Sequence, residues 1–295
     1  MSSLFMERAG ASALEAPAPA REPMAPAAGT ADIRLATGVR LRHAEQGRAD
    51  GRPVILLHGY SDTWLSFARV LPLLPDTLRV LALDQRGHGH SERPATGYEM
   101  RDLAGDVVAF MDAKGIARAT IVGHSMGGFV AQQVALLAPS RVEGLVLVDS
   151  PAEGSGINEG EELRRLVFEQ GDPVSEEFVR EFQYSCISAP VPAEFMDRMI
   201  RESRRMPARV WRAIIGELIA TARATGLEQV KVPALLLWGE RDAIVPRAQQ
   251  EVLLSLLGES ARLRVYEGVG HTPHWEMPER VVRDLVGFVD RLSNR

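Results

Sequence analysis

Six short apolar runs recur along this chain, at residues 54–57, 80–83, 119–122, 144–148, 234–237 and 263–266, and each is followed by a segment with helical character. A strand that is apolar along its whole length has no solvent face, so both faces must be covered. Helices supplied between successive strands provide that cover, which predicts a parallel sheet with helices on both sides. Residues 32–43 differ: polar and apolar side chains alternate around the turn dipeptide Thr37-Gly38. That pattern predicts an antiparallel hairpin with one wet face, placed at the edge of the sheet.

The chain has 295 residues, 45% of them hydrophobic and 25% charged, enough for one large α/β domain or two small ones. Its net charge of −5 and pI near 5.9 disfavour binding to nucleic acid or to an anionic membrane surface. A single cysteine, Cys186, excludes an intramolecular disulfide and every multi-cysteine metal pattern, and fits a reducing compartment. Residues 1–30 form an arm, rich in Ala and Pro from Ala11 to Thr30, without an apolar run long enough for a signal-peptide core. No stretch reaches the ~18 consecutive apolar residues of a membrane span. The expectation is a cytoplasmic protein with a disordered arm over 1–30.

Between Asp149 and Pro233 the strand rhythm stops, and amphipathic helical stretches take its place at 161–169, 175–183, 193–205 and 208–224. This predicts a helical lid over 150–225 inserted into a core made of 31–149 and 226–295. Its apolar residues, among them Phe168, Phe178, Phe182 and Trp211, are expected to pack the lid, and Arg164-Arg165 and Arg204-Arg205 to lie on solvated helix faces. Helices placed over strand ends close a pocket and exclude water.

Gly123-His124-Ser125-Met126-Gly127 joins the run at 119–122 to a helical segment starting at Gly128. Such a strand-to-helix turn brings backbones so close that a Cβ at either flanking glycine clashes, and it lifts the serine hydroxyl clear of the sheet. A serine alone is a poor nucleophile and needs a base, which in turn needs an orienting group. Asp242 follows the run at 234–237, at the carboxyl end of a parallel strand, where ligands bind in open α/β sheets. His271 follows the next run, in Gly268-Val269-Gly270-His271. Ser125, Asp242 and His271 therefore stand in the chain order of a triad built on this kind of sheet.

With these motifs together, from about residue 32 to the end, the chain resembles the α/β-hydrolase superfamily, in its serine-nucleophile, esterase- or lactonase-like branch. The resemblance implies an eight-stranded, mostly parallel sheet with helices on both faces and a helical lid insertion. His58-Gly59-Tyr60 matches the family's early His-Gly, which implies an oxyanion hole made by the backbone N–H groups of Tyr60 and Met126. Asp84-Gln85-Arg86-Gly87-His88-Gly89-His90-Ser91 matches a segment whose role in relatives is structural, as that of His58 is here expected to be.

Competitors exist for each role. His274 lies three residues after His271, but relatives place the base directly after the glycine. Asp149 also ends a strand, and some members take their acid from there, while Gly239-Glu240-Arg241-Asp242 matches the commoner pattern. His124 is expected to pack or hydrogen-bond within the elbow, and Cys186 to be a small packing or pocket-lining residue. No metal ligand cluster and no cofactor motif is visible. The expected activity is hydrolysis of a carboxylic ester or lactone of a small to medium, fairly apolar molecule through an acyl-enzyme on Ser125. The alternatives are a cofactor-free perhydrolase or haloperoxidase, a carbon–carbon bond hydrolase with the same triad, and a hydrolase-fold small-molecule receptor. Oligomeric state is left open.

Overall fold

The computed structural model describes residues 28–292. The arm expected over 1–30 lies outside the described residues except for 28–30, and Gly29 and Thr30 already belong to the first strand. That strand, β1 (Gly29–Arg34), pairs antiparallel with β2 (Arg40–Gln46), and Gly38 closes the turn with φ 84°, a conformation that suits a residue without Cβ. The remaining strands are β3 (Arg52–Leu57), β4 (Leu78–Leu83), β5 (Ala119–His124), β6 (Val142–Val148), β7 (Ala234–Gly239) and β8 (Ala261–Tyr266). They form one sheet in the order β1-β2-β4-β3-β5-β6-β7-β8, parallel from β4 to β8, with β2 antiparallel to β4. Every one of the six apolar runs is a parallel strand, and the hairpin is the sheet's edge.

The pleat sends alternate side chains into two separate cores. Ile55, Leu57, Leu81 and Leu83 face one side, with Phe110 of α1 (Met100–Ala113) and Phe129 of α2 (Met126–Leu137). Val54, Leu56, Val80 and Ala82 face the other. Each Val, Ile, Leu or Phe side chain so buried contributes about 1.5–3 kcal/mol, which is why these strands tolerate no polar face. On the opposite edge, β8 has a neighbour on one side only, and its Arg262 and Arg264 are exposed.

Four helices separate β6 from β7: α3 (Gly160–Glu169), α4 (Glu176–Ser185), α5 (Ala193–Ser203) and α6 (Ala208–Ala220). They lie where the amphipathic stretches predict helices, although α6 stops at Ala220 rather than 224. Phe178 and Phe182 each pack edge-on against Trp211. Phe168, expected to pack with them, is instead 51% exposed, lying under the guanidinium of Arg164. Arg164 and Arg204 pair with the exposed Glu161 and Glu176, and Arg165 with the half-buried Glu162. After β7 come α7 (Arg247–Leu257), the short α8 (Pro273–Glu276) and α9 (Pro278–Leu292). Val281, Leu285 and Phe288 of α9 cover the second core. No helix among the described residues is long and apolar enough to cross a membrane.

The segment after β4 holds the strand ends together. Asp84 accepts the N–H groups of Trp64 (2.8 Å) and His90 (2.9 Å), and the Arg86 guanidinium grips the buried Asp106 carboxylate with two bonds of 2.6 Å.

Candidate active site

Ser125 sits between β5 and α2 with φ 50° and ψ −116°, a sparsely populated conformation for a non-glycine residue that the surroundings must hold in place. Its N–H donates to Val148 O (2.9 Å) and its carbonyl accepts from Gly128 N (2.8 Å). The flanking glycines are required by close approach: a Cβ on Gly123 would lie 2.1 Å from Gly127 O, and one on Gly127 would lie 2.2 Å from Leu57 O. Ser125 and His271 line the same cavity, which encloses about 40 Å³.

His271 occupies the loop after β8. Its N–H donates to Cys186 O (2.8 Å), a carbonyl of the inserted segment, and its Nδ1 lies 2.8 Å from Oδ2 of Asp242. Asp242, in the loop after β7, accepts the N–H groups of Ile244 (2.8 Å) and Val245 (2.9 Å) on Oδ1. With its carboxylate as acceptor, Nδ1 of His271 carries the proton and Nε2 is left with a free lone pair.

The competing residues have other partners. His274 is buried, its Nε2 lies 3.0 Å from Ser66 Oγ, and burial together with the charge of His271 pushes it down to about 3. His124 lines the cavity and its Nε2 donates to the carbonyl of His271 (2.9 Å), with burial holding it well below the usual histidine range. It acts as a hydrogen-bonding residue of the elbow. His58 accepts from Gln85 N–H (3.1 Å) through Nε2 and faces Gly59 O through Nδ1 (2.8 Å), a structural bridge between the ends of β3 and β4. Asp149, at the end of β6, accepts Gly239 N–H (2.9 Å), and burial and the neighbouring Asp242 carboxylate push its carboxyl well above the usual range.

The N–H of Tyr60 has no acceptor among the described residues. That of Met126 belongs to the first turn of α2, where no helical carbonyl four residues back is on offer. The phenol of Tyr60 points elsewhere and donates to Trp211 O (2.8 Å) on α6. Cys186 lines the cavity, with burial pushing its thiol well up. Most of the remaining wall is apolar and comes from the insertion, through Leu163, Phe182, Ile215 and Leu218.

Three polar residues near the site carry no sequence signal. Asp62 lines the cavity and is pushed up to about 6 by burial, while accepting from Ser66 Oγ (3.0 Å) and Gln183 Nε2 (3.3 Å). Gln183 also donates to Ser203 Oγ (2.8 Å). Glu276 accepts the N–H groups of Gly270 (3.0 Å), Ser188 (2.9 Å) and Ala189 (2.5 Å), tying the insertion to the loop that carries His271. Several of these partners, Gln183 to Asp62 and Ser188 and Ala189 to Glu276, come from segments distant in the chain, so local spacing does not reveal them.

Among the described residues one group of possible metal ligands, Asp149, Asp242 and His271, has donor atoms within 4.8 Å of one another. The 2.8 Å between His271 Nδ1 and Asp242 Oδ2 is a hydrogen-bond spacing, shorter than the ~3.3 Å that two ligands keep around a tetrahedral ion at their usual bond lengths. That spacing does not fit a tetrahedral zinc ion.

The family model for the alpha/beta hydrolase fold matches residues 52–278. The chain is 28% identical to the dihydrolipoyllysine-residue acetyltransferase component of an acetoin cleaving system from Pseudomonas putida, over 97% of this chain and 73% of that protein. It is 29% identical to a non-heme chloroperoxidase from Streptomyces lividans, over 87% of this chain and 98% of the relative. Among solved structures, a putative aryl esterase from Burkholderia cenocepacia superposes with a TM-score of 0.81 at 27% identity, covering 90% of this chain and all of that one. The sheet order, the strained serine at the end of β5 and the family match over 52–278 agree: the chain belongs to the alpha/beta hydrolase fold family.

Proposed function

We propose that this protein is a serine hydrolase that cleaves a carboxylic ester or lactone of a small to medium, fairly apolar molecule through an acyl-enzyme on Ser125. The observation that carries this reading is the bond between His271 Nδ1 and Asp242 (2.8 Å), made by a histidine that shares an apolar cavity with Ser125. In this mechanism His271 Nε2 takes the Ser125 proton as Oγ attacks the carbonyl, and the imidazolium is stabilised by Asp242. The N–H groups of Tyr60 and Met126 receive the developing oxyanion, each contributing ~3 kcal/mol at the transition state. The tetrahedral intermediate collapses as His271 gives its proton to the leaving oxygen. Water, deprotonated by the same histidine, then attacks the acyl-enzyme, and Ser125 leaves with the proton restored. In this reading helices α3 to α6 act as a lid, and their apolar wall suits a short acyl group.

The test is turnover of a panel of short-chain p-nitrophenyl esters and lactones by the wild type and by Ser125→Ala. Activity lost in the variant, and labelling of Ser125 by an organophosphate, support the reading. Ligand-dependent melting shifts without turnover by either protein favour a receptor. The 29% identical chloroperoxidase, matched over 98% of its length, favours one second reading, in which hydrogen peroxide replaces water at the acyl-enzyme and a peracid is released. Peroxide-dependent halogenation in acetate buffer that disappears in Ser125→Ala distinguishes it.

A further inference from the structure

Behind the His271–Asp242 pair lies a second carboxyl. Asp149 ends β6, the strand that neighbours β7 in the sheet, and it is fully buried. Its φ of 43° is unusual for a non-glycine residue, although aspartate and asparagine tolerate it best. This conformation is held by the Asp149 N–H bond to Leu237 O (2.8 Å). Oδ1 accepts Gly239 N–H (2.9 Å), whereas Oδ2 is buried and has no donor among the described residues. Donor atoms of Asp149, Asp242 and His271 all lie within 4.8 Å of one another, which places the Asp149 carboxyl beside that of Asp242.

Two carboxylates that close cannot both be ionised in a buried site at acceptable cost. Asp242 already accepts two backbone N–H groups and the His271 ring, so it is the better-stabilised anion. A proton on the orphaned oxygen of Asp149 turns it into a donor, with the Asp242 carboxylate at hand as acceptor.

We propose that Asp149 is a neutral carboxylic acid whose O–H donates to Asp242, so that it is a positioning residue extending the Ser125–His271–Asp242 arrangement by one member. The pair then carries a single negative charge and one shared proton. This rests on the hydrolase reading above for its kinetic consequence, but not for its protonation state. Of the other groups facing Asp149, burial and the charges of Asp242 and Glu276 favour the acid form, the Gly239 N–H opposes it, and the phenol of Tyr266 is itself pushed up by burial. By donating to Asp242, Asp149 locks that carboxyl in the plane that meets His271 Nδ1 and spreads its charge away from the ring.

The decisive variant is Asp149→Asn, which keeps a donor for Asp242, an acceptor for Gly239 N–H and the tolerated backbone. The acid limb of the kcat/KM profile, and the His271 titration followed by nitrogen-15 NMR, are expected to stay at the wild-type pH. If Asp149 were ionised, removing its charge would move both down by about one unit or more, and that result overturns the proposal. Asp149→Ala, which removes the donor, is expected to move both upward. Should that variant fail to fold, infrared difference spectra of carbon-13 aspartate-labelled wild type and Asp149→Asn at pH 8 still decide. A protonated carboxyl band present only in the wild type supports the shared proton, and its absence refutes it. The NMR and infrared readouts need no turnover, so a protein that hydrolyses nothing leaves this test intact while sinking the hydrolase reading.

Discussion

His271 Nδ1 and Asp242 Oδ2 are 2.8 Å apart, and the other oxygen of that carboxylate is held by the N–H groups of Ile244 and Val245. The loop after β7 therefore presents a fixed anion to the loop after β8. This pair sets the tautomer of the histidine, and its loss should be felt in rate before it is felt in stability. Asp242→Asn is expected to lower kcat on an ester substrate by about 10³- to 10⁴-fold, because an amide N–H facing Nδ1 favours the wrong tautomer. Circular dichroism should show the fold retained. A nearly silent substitution would transfer the role of acid to Asp149.

His271 and His274 separate the catalytic reading from a packing one. His271→Ala should abolish hydrolysis, whereas His274→Ala, which removes the contact with Ser66 and ring packing on Phe67, His124 and Trp275, should keep a substantial part of the activity at reduced stability. Steady-state kinetics on both variants check this. The opposite ranking would overturn the choice of base.

Burial keeps several histidines neutral, with His88 pushed down to about 4 and His274 to about 3, and His58 and His124 well below the ordinary 6.5. Below pH 6.5 the unfolded chain takes up protons that these rings refuse, so their contribution is complete above that pH and fades as pH falls through the lowered values. The buried carboxyls of Asp62 and Asp84, both raised to about 6, oppose this by weakening the fold as pH rises from 3.8 towards 6. Urea midpoints measured across pH 3 to 7 should therefore depend less steeply on pH in His274→Gln than in the wild type, and more steeply in Asp62→Asn. Parallel curves for all three proteins would contradict this assignment.

Arg86 and Asp106 form a two-bond ion pair, 9% and 3% exposed. Asp106→Ala strands a buried guanidinium and should destabilise the protein by about 3–5 kcal/mol in urea unfolding. The exposed pair of Arg164 and Glu161 supplies the control, since Glu161→Ala should leave the midpoint unchanged.

The elbow was legible because its constraint is local. A serine between Gly123 and Gly127 at a strand-to-helix junction has one way to turn, and a Cβ at either glycine would overlap backbone within 2.2 Å. The strands were legible for a similar reason, since a run buried on both faces must be apolar at every position. The order of the sheet was not: β4 lies between β2 and β3, a choice made by crossover connections that leave no mark on the runs themselves. Phe168 was misplaced because an amphipathic pattern assigns a face to a helix but cannot say whether anything covers it.

By itself, then, the sequence determined the parallel sheet, its antiparallel edge and the run of helices between β6 and β7, and it singled out the candidate residues Ser125, Asp242 and His271. Each of these follows from local sterics or from the period of the hydrophobic pattern. Only the tertiary structure decided which groups meet across strands: Asp149 beside Asp242 because β6 and β7 are neighbours, Glu276 beneath Ser188 and Ala189, and Tyr60 against Trp211. Such contacts join positions as far as 151 residues apart in the chain, and electrostatic and hydrogen-bond energies act over a few ångströms of space, a distance that chain order does not encode.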